Sequence, residues 1–288
     1  MKHSTRIAVG PVQFRIGSDW AAPIVALNRL YAGYPRDDAR PAEATVRLFA
    51  ARPWRRWLRP SVQIGGDFVV PDALPLPLSM GLLAAEMGMN LQVALGWRRH
   101  MLLHASAVAR DGRAVIMSGE SGSGKSTLAA LLGESGWRLM GDEFTLIDPA
   151  GGDALAFPRA VSLKNAAIAE VAARVDHARL GPLLSGTPKG DIRHLIPSAD
   201  AVAAMHEPAR PALLLFPRFG GEASIERMGE GEAFVRLTEA STNYVALGEG
   251  GFAALTRLVR ETPAFGISYS DSATGMGLVE QLFAEAVR

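Results

Sequence analysis

Residues 119–127 read Gly-Glu-Ser-Gly-Ser-Gly-Lys-Ser-Thr, a full match to the G-x-x-x-x-G-K-[ST] spacing that wraps a phosphate. Gly119, Glu120, Ser121, Gly122, Ser123 and Gly124 supply a turn whose backbone N–H groups can point inward. A helix opening at Lys125 adds the partial positive charge of its N-terminus to the same point. Lys125 is placed to reach the outer phosphates and Ser126, followed by Thr127, to hold a magnesium ion. A glycine-rich turn that binds nothing is the competing reading. The flanks weigh against it: Ala114-Val115-Ile116-Met117-Ser118 reads as a strand, and Leu128-Ala129-Ala130-Leu131-Leu132 as a helix that stops by Gly136. Strand, loop and helix are the context this chemistry needs, and they predict binding of ATP with Mg2+.

Phosphoryl transfer also needs a carboxylate to hold the metal or to take the acceptor's proton. Trp137-Arg138-Leu139-Met140 reads as the next strand and runs into Gly141-Asp142-Glu143. Asp142 lies seventeen residues beyond Lys125, a span of one helix and one strand, which returns the chain alongside the loop. The same interval separates this chain from the ABC transporter ATPases, whose Asp-Glu pair follows much later. Leu184-Ser185-Gly186-Thr187 resembles their signature in three letters only, and no apolar strand ending in Asp-Glu follows it.

Two strand-like runs, 101–109 and 113–118, flank Asp111-Gly112, a strong two-residue hairpin signal. Pairing Arg110 with Arg113 places Ala107 opposite Ile116, Ser106 opposite Met117 and His104 opposite Gly119. His104 then sits at the mouth of the loop, where a γ-phosphate would lie. Lys164 and the group Lys189, Arg193 and His194 read as loop residues whose positive charge could serve the same phosphate. Arg159 and Arg218 adjoin prolines and rank lower, and Asn243-Tyr244 reads either as part of an acceptor pocket or as a turn cap.

At 288 residues the chain can bury a full core, and 48% hydrophobic with 20% charged residues is ordinary globular composition. A net charge of +1 points to neither nucleic acid nor an anionic membrane. The absence of cysteine excludes disulfides, thiolate metal sites and a cysteine nucleophile. The N-terminus lacks the apolar core of a signal peptide. The most apolar window, Met80 to Trp97, contains Glu86, Asn90 and Gln92 and reads as a buried helix rather than a membrane span. The expectation is a soluble, cytoplasmic protein.

Upstream, 6–15 alternates like a strand, Ser18 is placed to cap a helix running to about Tyr34, and Gly33–Pro41 is a polar break. Strands are expected at 44–50 and 61–70. Between them Arg52-Pro53-Trp54-Arg55-Arg56-Trp57 reads as a solvated turn whose tryptophans fold onto the sheet. A helix at 79–97 closes this part, with a boundary near residue 98. Beyond it, strands are expected at 137–140, 144–147, 212–216 and 265–269. Helices are expected at 125–135, 164–174, 231–239, 250–260 and 272–287, an α/β alternation.

His104, the loop 119–127 and the pair Asp142-Glu143 resemble, in order and spacing, the catalytic domain of the HPr kinase/phosphorylase family, a fold related to phosphoenolpyruvate carboxykinases. The resemblance is closer still to the HPr-kinase-related kinase A proteins found beside exosortase and polysaccharide gene clusters. It rests also on Leu103-His104-Ala105, on Gly136 through Glu143, and on Pro158 through Asn165. Thr187-Pro188-Lys189-Gly190 and Phe216-Pro217-Arg218 carry it further. It runs from Leu27-Asn28-Arg29-Leu30-Tyr31 to Tyr269-Ser270-Asp271. It implies an α/β P-loop kinase domain over 99–288 with a smaller N-terminal α+β accessory domain over 1–98. It implies Lys125 and Ser126 at phosphate and magnesium, His104 at the γ-phosphate, Asp142 as general base and metal neighbour, and Glu143 as metal partner. The parent enzymes carry two aspartates where this chain has Asp142 and Glu143. The implied acceptor is a hydroxyl, a Ser on a protein or peptide. The rivals are a sugar or polysaccharide-related small molecule, or an ATP-binding regulatory protein with little transfer. The bifunctional relatives form hexamers, which makes a homo-oligomer an expectation here.

Overall fold

The computed structural model describes residues 1–37 and 39–288. Asp38, inside the break read at 33–41, lies outside the described residues. The chain divides into two compact units, Met1–Trp97 and Arg98–Arg288. Both are mixed α/β, and among the described residues together they hold four sheets.

In the first unit, β1 (His3–Val9) and β2 (Val12–Ser18) form an antiparallel hairpin. The single strand expected at 6–15 is thus corrected to two. Gly10 takes φ 50°, a left-handed conformation, and Pro11 has no N–H to donate, so the chain reverses there. Helix α1 (Ala21–Leu30) crosses over to β3 (Ala44–Ala50), which pairs parallel with β2. The expected cap also moves. Ser18 stays in β2, where its Oγ accepts from the Trp20 amide at 3.0 Å, and Trp20 takes the uncapped N-terminal position. β4 (Ser61–Gly66) and β5 (Leu76–Pro77) complete the sheet in the order β1-β2-β3-β4-β5. Helix α2 (Gly81–Gly96) packs on β3 and β4, and Gly88 gives the close approach: a Cβ there would crowd Val46 and Ile64. The stretch Leu78–Gly96 has the length and hydropathy to cross a membrane, and 56% of its window is buried inside the protein.

The second unit is built on six strands in the order β16-β17-β15-β8-β7-β9. After the short β6 (Met101–Leu103), β7 (Ala105–Arg110) and β8 (Arg113–Ser118) form a hairpin within this sheet. Asp111 at φ 52° and Gly112 at φ 70° make the left-handed two-residue turn. The observed register, Ala107 opposite Ile116 and Ser106 opposite Met117, is the one read from that turn. Helix α3 (Lys125–Gly133) leads to β9 (Arg138–Gly141), antiparallel to β7. On the other flank β15 (Arg210–Phe219) pairs parallel with both β8 and β17 (Ala264–Tyr269), and β16 (Ser224–Met228) closes the edge. So β8, β9, β15 and β17 all end at one edge of the sheet, and β7 starts there.

Period-two alternation divides the core. Val108, Val115 and Met117 face α3 and α8 (Ser272–Ala286) through Leu128, Val279 and Leu282. Ala107, Ala109 and Ile116 face α6 (Glu230–Ala240) and α7 (Tyr244–Glu261) through Leu237, Ala254 and Leu255. Two small sheets complete the unit. One pairs β6 with β10 (Thr145–Ile147) and β11 (Ala154–Leu155). The other, in the order β12-β14-β13, comprises β12 (Val161–Lys164), β13 (Leu184–Thr187) and β14 (Gly190–Leu195), with α4 (Ala166–Ala172) following β12. Asn243 is buried and ties the start of α7 to β6. Its Oδ1 accepts from the Leu102 amide at 2.9 Å and its Nδ2 donates to the His100 carbonyl at 2.9 Å, which makes it a structural bracket.

Candidate active site

The shared strand edge places a cleft of about 480 Å³ over the loop between β8 and α3. In the loop Gly119, Gly122 and Gly124 take φ 155°, 88° and 96°, values a side chain resists. Gly124 occupies the position before α3, and no side chain caps that helix. The first-turn amides of a helix have no intrahelical acceptor, so the N-terminus of α3 offers donors to the cleft that Gly122, Gly124, Lys125, Ser126 and Thr127 line. Tyr269, at the end of β17, closes the loop from the side; its hydroxyl donates to the Ser123 carbonyl at 3.4 Å.

Lys125 is buried and turned back on its own loop. Its Nζ donates to the carbonyls of Gly119 at 2.6 Å and Glu120 at 2.7 Å, and lies 3.4 Å from Ser123 Oγ. Gly119, Glu120 and Ser123 therefore hold the lysine rather than line the cleft. Burial pushes the ammonium below its ordinary pKa. The carboxylates of Asp142, Glu143 and Glu120 pull the other way, and the Lys164 charge adds to the depression.

Asp142 follows β9 and is 3% exposed. Its Oδ1 accepts from Ser106 Oγ at 2.6 Å and Ser126 Oγ at 2.9 Å, and its Oδ2 faces the Ser162 amide at 3.4 Å. Burial raises its pKa above the ordinary carboxylate value, and the neighbouring Glu143 charge raises it further. The three hydrogen bonds oppose the rise without cancelling it. Glu143 takes the left-handed φ of 69°. Its carboxylate stands between His104, with Nδ1 at 3.7 Å from Oε2, and Lys164, with Nζ at 3.8 Å from Oε1.

The sequence places Lys164, Lys189, Arg193 and His194 in loops; the structure keeps Lys189 in one and corrects the other three, which lie on strands. Lys164 ends β12 and Lys189 sits in the turn between β13 and β14, and both line the cleft. Asn165, at a left-handed φ of 52°, positions the second. Its Nδ2 donates to the Lys189 carbonyl at 3.3 Å while its Oδ1 accepts from the Asp191 amide at 3.1 Å. Arg193 and His194 are on β14 and outside the cleft lining. Arg193 Nε donates to the Gly181 carbonyl at 2.8 Å, and His194 is buried.

Ser106, Ser162, Tyr269 and Phe219 line the cleft without having been singled out by the sequence. Ser106 had a signal: it is the polar residue of an apolar strand, two positions from His104 and so on the same face. Its removal has a defined consequence. A hydrogen bond to a charged group is worth about 1.5–3 kcal/mol, and this one favours the ionised carboxylate. Ser106→Ala is therefore expected to raise the Asp142 pKa further. It should move the acid limb of any Asp142-dependent rate upward by about one to two pH units, measured as a pH profile of kcat. An unmoved limb would mean that Ser106 has no hold on Asp142.

The oxygen set suits a magnesium ion. Ser126 Oγ and Asp142 Oδ1 lie 2.9 Å apart beside a second carboxylate, and Mg2+ takes one or two carboxylates together with substrate phosphates and water. Among the described residues no group of three or more His, Cys, Asp or Glu side chains forms a ligand set by itself. Nucleotide phosphates would have to complete the coordination.

No family profile and no curated protein matches the sequence. Among solved structures, the HPr(Ser) kinase/phosphatase from Coxiella burnetii is similar at 12% identity and a TM-score of 0.28, over 64% of this chain and 94% of that one. A likeness at that level carries no weight for function, which rests on the cleft.

Proposed function

We propose that this chain is an ATP-dependent kinase of the HPr-kinase-like P-loop type, nearest in kind to the kinase A proteins. It would transfer the γ-phosphate to a hydroxyl, a Ser on a protein or peptide. The observation that supports this reading is one cleft collecting the glycine loop, Lys125, Ser126, Asp142, Glu143, His104, Lys164 and Lys189. The amides of loop and helix would hold the phosphates. Lys125 would exchange its two loop carbonyls for the outer phosphate oxygens. Ser126, Asp142 and Glu143 would hold magnesium, which when bound neutralises charge on the transferring group.

Asp142 Oδ2, met only by the Ser162 amide at 3.4 Å among the described residues, is the oxygen free to accept the acceptor's proton. Its raised pKa strengthens it as a base. His104, Lys164 and Lys189 surround the position where charge spreads during transfer. The catalytic unit is the span 99–288 and the N-terminal unit an accessory domain, in a cytoplasmic protein.

Incubation with labelled ATP, Mg2+ and hydroxyl-bearing peptides or sugars tests the proposal. The expected result is magnesium-dependent ATP binding and ADP release that rises with the right acceptor. ATP binding with no acceptor-dependent turnover would leave the regulatory reading, and no magnesium-dependent nucleotide affinity at all would remove both.

A further inference from the structure

The turn between β3 and β4 carries four arginines and two tryptophans in eight residues, Arg52-Pro53-Trp54-Arg55-Arg56-Trp57-Leu58-Arg59. The sequence leads one to fold these tryptophans onto the sheet. The structure does otherwise: Trp54 is 53% exposed, Trp57 77% and Leu58 66%. A one-turn 3-10 helix at Pro53–Arg56 turns the indoles outward, where arginines stack on them, Arg52 over Trp54 at 5.4 Å and Arg56 over Trp57 at 5.8 Å. A surface that keeps large apolar side chains in water is one built to be covered.

The feature is a groove rather than a knob. A cavity of about 1000 Å³ lies between this turn and the segment around β5, lined by Arg52, Trp54, Arg55 and Arg59 together with Pro75 and Pro77. Leu74, 88% exposed, precedes Pro75. Among the described residues no carboxylate lines the groove. Arg56 is engaged with Asp19, at 3.8 Å from its carboxylate and 3.1 Å from its carbonyl. Among the described residues no acidic side chain lies within ion-pair distance of Arg52, Arg55 or Arg59. The charge of the whole unit agrees: residues 1–97 hold eleven Lys and Arg against seven Asp and Glu, and residues 98–288 hold nineteen against twenty-two. The near-neutral total conceals a basic unit and an acidic one.

We propose that this groove docks an extended, acidic peptide segment. Carboxylates of the segment would meet Arg52 and Arg59, and its apolar side chains would lie on Trp54 and the two prolines. A concave site of this volume favours a chain that can enter it over a flat bilayer. Three arginines set among apolar residues favour spaced carboxylates over a continuous phosphate backbone. The inference does not depend on the catalytic reading, because binding alone tests it.

A fluorescein-labelled peptide of alternating Glu and Leu should give saturable anisotropy with the full chain, weakened by salt, while the Lys-Leu counterpart should not. Arg52→Glu with Arg59→Glu, and separately Trp54→Ala, should each weaken binding roughly tenfold or more. Both changes lie on exposed side chains, unaltered thermal melting would show that the variants fold, and either variant alone suffices. The proposal is overturned if the Glu-Leu peptide does not saturate, or if the folded variants bind as the parent does. It is equally overturned if phosphatidylglycerol vesicles or a single-stranded oligonucleotide bind in preference and displace the peptide.

Discussion

Asp142→Asn is expected to abolish acceptor-dependent phosphoryl transfer while raising the melting temperature of the protein without nucleotide and metal. Loss of a general base costs about 10²–10⁴ in rate, and loss of a metal-binding oxygen adds to it. The gain in stability has a separate origin. Asp142 is buried beside Glu143 and its folded pKa lies above the ordinary value. For such a group stability is greatest below the unfolded pKa and falls as pH rises towards the folded one. Above the unfolded pKa the folded protein therefore holds this carboxylate less easily ionised than the unfolded chain does. Asparagine keeps an acceptor for Ser106 and Ser126 at the Oδ1 position, while its side-chain nitrogen would face the Ser162 amide donor to donor, which offsets part of the gain. The expected gain is about 1–2 kcal/mol, roughly 2–8 °C. It should vanish in acid, where the wild-type carboxyl is neutral. Melting curves of both proteins from pH 4 to pH 8, beside transfer assays, decide the matter. A variant less stable than the parent at pH 7 would show that Asp142 is a net stabilising partner. Retained transfer would remove it as the base.

Part of this cleft was legible from the chain. Asp111-Gly112 permits one tight turn, the turn fixes the register, and the register carries His104 to the loop. Asp142 was legible because one helix and one strand can only bring the chain back alongside its start. Ser106 was visible as a residue, but its partner Asp142 belongs to β9, and that pairing is not written in local sequence. Tyr269 and Phe219 arrive at the loop through the parallel pairing of β15 with β8 and β17, which depends on long crossovers rather than on turns. Lys189 is legible as a turn residue between glycines, whereas Lys164 hides in sequence because β12 is only four residues long. Trp54 and Trp57 defeat a composition argument altogether. Tryptophan usually counts towards the core, and only tertiary structure reveals two left outside it.

The loop's geometry makes a second large effect, at a residue with no side chain. Gly124→Ala should weaken nucleotide binding roughly tenfold or more, for two reasons that can be separated. Gly124 takes φ 96°, and a residue with a Cβ resists the left-handed region by about 1–2 kcal/mol. A Cβ at this position would also collide with the Tyr269 hydroxyl oxygen. Relief of the collision would push Tyr269 off the Ser123 carbonyl or push the loop into the cleft, and overpacking of this kind costs about 1–3 kcal/mol. Tyr269→Phe removes the oxygen and leaves the ring, whose nearest carbon would stand 3.3 Å from the new methyl. In that background Gly124→Ala should therefore recover the collision's share of the lost affinity and none of the backbone strain. Titration of ATP with Mg2+ into the parent, the two single variants and the double variant closes the cycle. Equal losses in both backgrounds would place the whole effect in the backbone. An unimpaired Gly124→Ala variant would mean that nucleotide does not bind on the loop in the conformation described.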